Sequence, residues 1–542
     1  IDAGFQYGVS STQTYFNDWF WMPLVLCVWL PIIYYMRVQS VPEYFERRFG
    51  TIARLSATLL ILVYLVGYVG INLFTIGTAM QTLLAWPVMV GALVTAVIVM
   101  VYVMSGGQTS VIMTDLAQGM ILLIAGIGVF LVGVWHVGGF GDFWSLLPQS
   151  HRFAFSEMNA PADFSAVGIF AQDGLANSGA FMLMNQGIIM RFLSMRSVLD
   201  ARKMAICWTL LLMPLAAIAT SGGGWVARAM VEQGGFETTA ADAFIEVADV
   251  LLVPGIFGFV LAALTAALMS TADTLINAST AIFINDVYRP YIKKGQADTH
   301  YLRVARFTSF VVVIIGLLLV LVFMREKSIY SAHGLFTAAV TPPIVVAIVL
   351  GILWKRYTPV AAVATVVGGG ALIGLSLFAP FDDWLVKPFS FGMDPDSYKF
   401  TRALFGLVAC TGIGVAVSLA TKPRSLDSIR GLVNGTQLDA MRMFKGGEPN
   451  RAIGRTVRAE LTTDADVATE TVRVSPETLC AISAAPGDIV YVNDARWWFG
   501  GLRSLHLKAV EGATGQALQI NPQDAKDARL EVSRAHTIEK LI

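Results

Sequence analysis

The chain has 542 residues, 55% hydrophobic and 14% charged, with 38 basic residues balanced by 38 acidic ones. A soluble domain is roughly a quarter charged, so most of this chain is solvated by lipid, and a formal charge of zero leaves no electrostatic footprint for nucleic acid. The cysteines Cys27, Cys207, Cys410 and Cys480 are scattered without a CxxC, which argues against a disulfide framework or a zinc site.

The sequence opens at Ile1 on a polar Gly/Ser-rich stretch in place of an initiating region, so a fragment lacking its true start is expected. Roughly eleven runs then approach the ~20 apolar residues a helix needs to cross a bilayer. They lie near Trp19–Met36, Ala53–Ala85, Val88–Met104, Val111–Trp135, Ala176–Phe192 and Ala205–Ala229. The series continues near Pro254–Ile284, Phe307–Met324, Gly334–Trp354, Val360–Phe378 and Ala403–Ala420. Gly106-Gly107 reads as the turn between the third and fourth, and Asn185-Gln186 interrupt the fifth.

Basic residues gather in alternate loops: Arg47, Arg48 and Arg54; Arg191, Arg196, Arg202 and Lys203; Arg289, Lys293, Lys294, Arg303 and Arg306; Lys355 and Arg356. These loops share one face, assigned to the cytoplasm, while Asp142, Glu157, Asp163, Glu232, Glu237, Asp242, Glu246 and Asp249 collect on the other. Residue 1 is then outside and the C-terminus inside. After Pro423 charges of both signs interleave over about 120 residues, enough for a small soluble domain. Ser425 to Phe444 reads as an amphipathic helix. Thr471–Val474, Ile489–Val492, Leu505–Val510 and Ala517–Ile520 read as strands, punctuated at Gly487-Asp488 and Gly500-Gly501. Trp497-Trp498 is either a core pair or a docking patch.

Polar groups inside apolar runs are costly and mark candidate sites. Ala267, Ser270, Thr271 and Thr274 share one helical face, with the Asp273 carboxylate beside them. Such oxygens suit a hard cation; the alternative is hydroxyls bonded back to their own helix. Asp115, in Thr114-Asp115-Leu116-Ala117-Gln118, could bind a cation, relay a proton, pair with an arginine or sit as a helix-start carboxylate. Asn185 and Gln186 could hold a solute or join helices, and Phe181, one turn earlier, could cover a solute or simply pack. His333, ahead of Thr341-Pro342-Pro343, is an interior residue or a ligand, and Asn17-Asp18 lie at an outer helix entrance. Phosphate-loop, GxSxG, HExxH and paired CxxC motifs are absent from the sequence, which disfavours primary ATP-driven pumping and gives no sign of an enzyme.

Several blocks, in order, resemble the sodium:solute symporter family (sodium/glucose, sodium/proline and sialic acid transporters). They are Ser40-Val41-Pro42-Glu43-Tyr44-Phe45-Glu46-Arg47-Arg48-Phe49-Gly50, the Asp115 segment, Asn185-Gln186 to Arg191 with Ala201-Arg202, Ala262 to Tyr288, and Gly351-Ile352-Leu353-Trp354-Lys355-Arg356. The resemblance covers roughly 1–421 and implies an all-α polytopic membrane protein of LeuT type. That architecture has two inverted five-helix repeats, here with the first core helix mostly missing, and two further C-terminal helices. Only the trailing end of the first core helix, near Ala3 to Gly8, is expected. A linker with the amphipathic helix over 422–465 and a small β-rich cytoplasmic domain over 466–542 would follow.

By the same resemblance, sodium is the co-substrate, held by the Ala267 carbonyl and the Ser270 and Thr271 hydroxyls. A second cation set maps to Asp115, Asp273 and Thr274, with Asp273 standing where some members carry serine. The solute and gate candidates are Asp18, Ser178, Phe181, Asn185 and His333. Phe181 replaces a gating tyrosine of the sugar carriers, and His333 or Gly334 stands near their glutamine. The implied function is sodium-coupled symport of a small organic solute across the cell membrane, in a bacterium the inner membrane, with lipid as surroundings. The alternatives are a solute sensor signalling through the tail and a proton-coupled carrier.

Overall fold

A computed structural model describes residues 2–541 apart from 156–163, 241, 326–328, 394–397, 449–451, 453, 497–502, 513–514 and 516; side chains at 102, 105–113, 330–331 and 399 are also outside it. Glu157, Asp163, Trp497, Trp498, Gly500 and Gly501 therefore lie outside the described residues. The chain divides into two units, one of 1–25, 40–187 and 206–425, the other of 26–39, 188–205 and 426–542.

In lipid every backbone amide must be satisfied within its own segment, so apolar runs form helices. Eight helical stretches among the described residues are long and apolar enough to cross a membrane; Val88–Val101, in the same helix as one of the eight, and Pro359–Leu375 are shorter apolar ones. The principal helices are α1 (Val41–Phe49), α2 (Thr51–Leu84), α3 (Val88–His136), α4 (Ser178–Met184), α5 (Gln186–Ser194), α6 (Met213–Gln233), α7 (Pro254–Ile282), α8 (Asp298–Phe323), α9 (Ile329–Leu353) and α10 (Tyr398–Ala420). Before them, Asp2–Met36 is helical throughout but alternates among α, 3-10 and π turns.

Two of the apolar clusters in the core of the first unit run along α3 and α7. Val88, Ala92, Ala96, Val99 and Val103 of α3 pack with Ala272 and Ile276 of α7 and with Val312, Val313 and Val320 of α8. Further along α3, Ala125, Val129 and Val134 pack with Val260 and Ala263 of α7 and with Trp225 and Val226 of α6. The two long helices thus run antiparallel, and small residues let them lie close.

One expectation changes, and another, the interruption of the fifth run at Asn185-Gln186, holds. Val88–His136 is one helix of 49 residues, so the turn at Gly106-Gly107 does not form. Each glycine costs about 1 kcal/mol in a helix, which the apolar flanks packed on both sides offset. Counted as one crossing, that helix would set the Arg47–Arg54 and Arg191–Lys203 loops on opposite faces, so alternation alone fixes no orientation. The fifth apolar run is a π turn (Phe170–Asn177), then α4, a break at Asn185 with ψ 110°, and α5.

In the second unit, β1 (Val457–Thr463), β2 (Thr471–Val474), β3 (Ile489–Asp494), β4 (Ser504–Glu511), β5 (Leu518–Ile520) and β6 (Ala535–Lys540) close into a barrel in the order β1-β5-β2-β4-β3-β6. The pairs β1–β5 and β2–β4 are parallel, the others antiparallel. Leu461, Val472, Val474, Val490, Val492, Leu507, Leu518, Ile520 and Ile538 fill its interior. β1 lies within the segment read as linker, although Val457, Ala459 and Leu461 alternate with Arg458 and Glu460 at the period of a strand. The expected helix from Ser425 to Phe444 shrinks to α11 (Gln437–Lys445), since Gly431 and Gly435 adopt φ 81° and 83° and end regular structure ahead of it.

The barrel packs on the loop between Ser194 and Val198 and on the end of the first helical run, all within this unit. Tyr34 Oη donates to Arg196 O at 2.8 Å, and His506 Nε2 approaches the same carbonyl at 3.1 Å. Arg196 pairs with Glu539 at 2.8 Å, and Phe444 packs against Tyr34, Tyr35 and Arg37.

Candidate functional site

On α7 the predicted sodium ligands converge. Ser270 Oγ donates to Ala267 O at 2.9 Å and Thr271 Oγ1 to the same carbonyl at 3.3 Å. The back-bonding alternative is therefore realised, and it draws the three candidate oxygens together on one face. Asp2–Tyr7 and the turn after it pack on α6: a Cβ on Gly4 would stand 2.5 Å from Ser221 O, and Trp225 Nε1 donates to Gly8 O at 2.8 Å. One turn further along α7, Thr274 Oγ1 donates to Asp115 Oδ2 of α3 at 3.2 Å, with Asp273 Oδ1 at 3.3 Å. Asp115, Asp273 and Thr274 are thus brought together across α3 and α7, and Asp273 is fully buried.

A second polar cluster joins the first helical run, the π turn, α2 and α9. Asp173 accepts from Asn177 Nδ2 at 2.9 Å and from Asn17 Nδ2 at 3.3 Å. Tyr68 Oη donates to Asn177 Oδ1 at 2.8 Å and meets His333 Nε2 at 2.6 Å. A hydroxyl has one proton, so with that proton on Asn177 the imidazole is the donor and carries its hydrogen on Nε2. The result is an oriented relay, His333 to Tyr68 to Asn177 to Asp173. Asp18 accepts from Ser178 and lies within electrostatic reach of Asp173. Gln172 Nε2 donates to Thr337 Oγ1, whose hydroxyl is anchored on His333 O at 2.8 Å.

The backbone explains why these side chains meet. Asn17 and Asp18 sit on a 3-10 turn, and Gln172, Asp173 and Asn177 on the π turn, irregularities that re-aim side chains and recur at functional sites. Gly174 lets the two segments touch: Trp21 Nε1 donates to its carbonyl at 2.8 Å, and a Cβ there would meet Asn17 at 3.2 Å. Of the residues proposed for solute contact, Asp18, Ser178 and His333 enter this cluster. Phe181 instead packs edge-on against Trp208 at 6.0 Å, and Asn185 ends α4. Asp173, Asn177, Gln172 and Tyr68 were not singled out from sequence. The signal for Asp173 and Asn177 was their spacing, one turn apart, across the start of the fifth apolar run.

Three of the sequence blocks close on one another. Arg54 pairs with Asp286 at 2.9 Å, and Ser40 Oγ donates to the same Oδ1 at 3.0 Å. Arg48, with no exposed surface, donates to the carbonyls of Trp354 and Tyr357 at 3.3 Å, capping the end of α9. Residues read as loop charges are thus interior ties.

Broken helices that carry buried polar clusters among long membrane helices are an arrangement that polytopic secondary transporters use. A profile of the sodium:solute symporter family matches residues 2–369, and the chain belongs to that family. It is 26% identical over 355 residues to the high-affinity proline transporter of Bacillus subtilis, covering 64% of this chain and 72% of the relative. It is 27% identical over 397 residues to the sodium/glucose cotransporter of Vibrio parahaemolyticus, covering 67% and 71%. Its fold matches a solved sodium-coupled sialic acid symporter, substrate-bound and outward-open, with TM-score 0.61 at 17% identity over 78% of this chain and 86% of that one. The helical part accordingly has the LeuT-type fold, and the barrel stands apart from the family match.

Proposed function

We propose that this protein is a sodium-coupled symporter that moves a small organic solute by alternating access. The observation that carries the reading is the convergence of Ala267 O, Ser270 Oγ and Thr271 Oγ1 on one face of α7 in a chain of this family. Sodium would trade the hydroxyl–carbonyl hydrogen bonds for direct oxygen contacts, and the solute would occupy the cluster around Asp18, Ser178, Asp173 and His333. Both ligands favour the same outward-facing state, so each raises the apparent affinity for the other. Inverted five-helix repeats and a cytoplasmic barrel belong to the same proposal.

The test is uptake into proteoliposomes with and without an inward sodium gradient, for wild type and the double variant Ser270→Ala/Thr271→Ala. Sodium-driven uptake in the wild type and its loss in the variant are expected; unchanged sodium dependence in the variant sinks the site. A second reading is favoured by Thr274, whose hydroxyl bridges the carboxylates of Asp115 and Asp273: that pair holds a proton or second cation. Solute-dependent current in sodium-free buffer at low pH would select it.

A further inference from the structure

Asp18 and Asp173 are carboxylates with 7% and 6% of their surface exposed, in the interior of a lipid-solvated helical unit. Among the described residues neither has a cationic partner. Their donors are the neutral amides of Asn17 and Asn177 and the hydroxyl of Ser178. His333 reaches Asp173 only through Tyr68 and Asn177, as the donor end of the relay. Beside Asp173 in the chain, Gln172 is wholly buried, and among the described residues its Oε1 has no hydrogen-bond donor.

The cluster therefore has a surplus of acceptors, and among the described residues no positive side chain offsets its carboxylates. Neutral donors soften the desolvation of a buried carboxylate but leave its charge in place, and a buried charge calls for a partner of opposite sign. Two such carboxylates within reach of each other make that demand stronger. An anionic solute is repelled by the same arrangement, and a neutral polyol brings hydroxyls where a cation is called for.

Resting on the reading of this cluster as the solute site, we propose that the transported solute carries a protonated nitrogen. It is an ammonium or a zwitterion whose N–H groups bind the Asp18 and Asp173 carboxylates, with the Gln172 carbonyl oxygen as a further acceptor. The rest of the solute lies toward Tyr68 and His333.

The test uses the full-length protein in detergent with and without sodium, reading the shift in unfolding temperature. Ethanolamine and proline are the nitrogen-bearing probes, glucose and pyruvate the neutral and anionic ones. Ethanolamine or proline should stabilise the wild type, and Asp173→Asn and Asp18→Asn should each weaken that apparent affinity at least tenfold. Stabilisation of each variant by sodium alone shows that it is folded. Absence of any shift with both nitrogen probes overturns the proposal, as does a shift confined to glucose or pyruvate. Equal affinity of wild type and folded Asp173→Asn overturns it too, leaving protonated carboxylates as the account of the cluster. Probe binding that needs no sodium in the wild type, yet is lost in the Asp variants, supports the solute class and refutes sodium coupling instead.

Discussion

Arg54 shows how much one side chain holds. Its guanidinium meets the nearly fully buried Asp286 at 2.9 Å, and Ser40 completes the carboxylate's shell. Replacing Arg54 with Met leaves a buried charge unpaired, a change that typically destabilises by about 3–5 kcal/mol. Removing both charges, with Arg54→Met and Asp286→Leu together, should recover much of that loss; a thermal-unfolding double-mutant cycle checks it. Arg48 acts differently: it donates to carbonyls left open at the end of α9, so Arg48→Met should cost about 1–3 kcal/mol per carbonyl stranded. Chemical denaturation of the solubilised protein reads that loss. Neither arginine's role was legible from its position beside a helix end, because a loop cation and a buried cap share the same sequence context. Ser270 and Thr271 were legible, because hydroxyls repeated at helical spacing in an apolar run stand out without knowledge of their neighbours.

At the scale of the element, the contact between the barrel and the Ser194–Val198 loop offers a pH-sensitive test. Burial, then the positive charge of Arg37, lower the His506 pKa to about 4, against the hydrogen bond to Arg196 O that raises it. Arg196, Glu539, Asp200 and Tyr491 also face this contact. A depressed imidazole keeps His506 neutral when docked, whereas undocked it titrates near its ordinary 6.5. The undocked state therefore takes up the proton first, so docking is complete above pH 6.5 and weakens as pH falls toward 4. Hydrogen exchange in the Ser194–Val198 loop should rise over that window in the wild type and lose its pH dependence in His506→Leu. Charge reversal at Glu539→Lys should also loosen the loop, and adding Arg196→Glu should partly restore protection. Elements with strong period were readable from the chain: the apolar runs, and the strands β2 to β5. β6 was not, because it turns the polar His536 and Lys540 inward beside Ile538 and only barrel closure shows its inner face; β1 alternates Val457, Ala459 and Leu461 with Arg458 and Glu460 and was left in the linker.

For the whole molecule, the two units should respond to acid separately. In the barrel, Asp494 accepts a bidentate pair of hydrogen bonds from Arg496, which lowers its pKa to about 2, and Arg503 with Arg496 holds Glu531 below its usual range. These carboxylates are more acidic folded than unfolded, so their contribution is present above about pH 4 and is lost as pH falls toward 2. Circular dichroism of the β signal across that range should show the barrel losing stability, with Asp494→Asn removing much of the dependence. Composition alone determined that this chain lives in lipid, since so few charges cannot cover a soluble surface. The ordered blocks in the sequence located the oxygen-rich face of α7 and pointed to its family, because both are local patterns. Only the tertiary structure decided that Asp173, Asn177 and Tyr68 join Asp18 and His333, that α3 runs unbroken through its glycine pair, and that the tail closes into a barrel. Each of those depends on partners more than a hundred residues away or on closure of a sheet, and no local period encodes which distant side chain will supply a hydrogen bond.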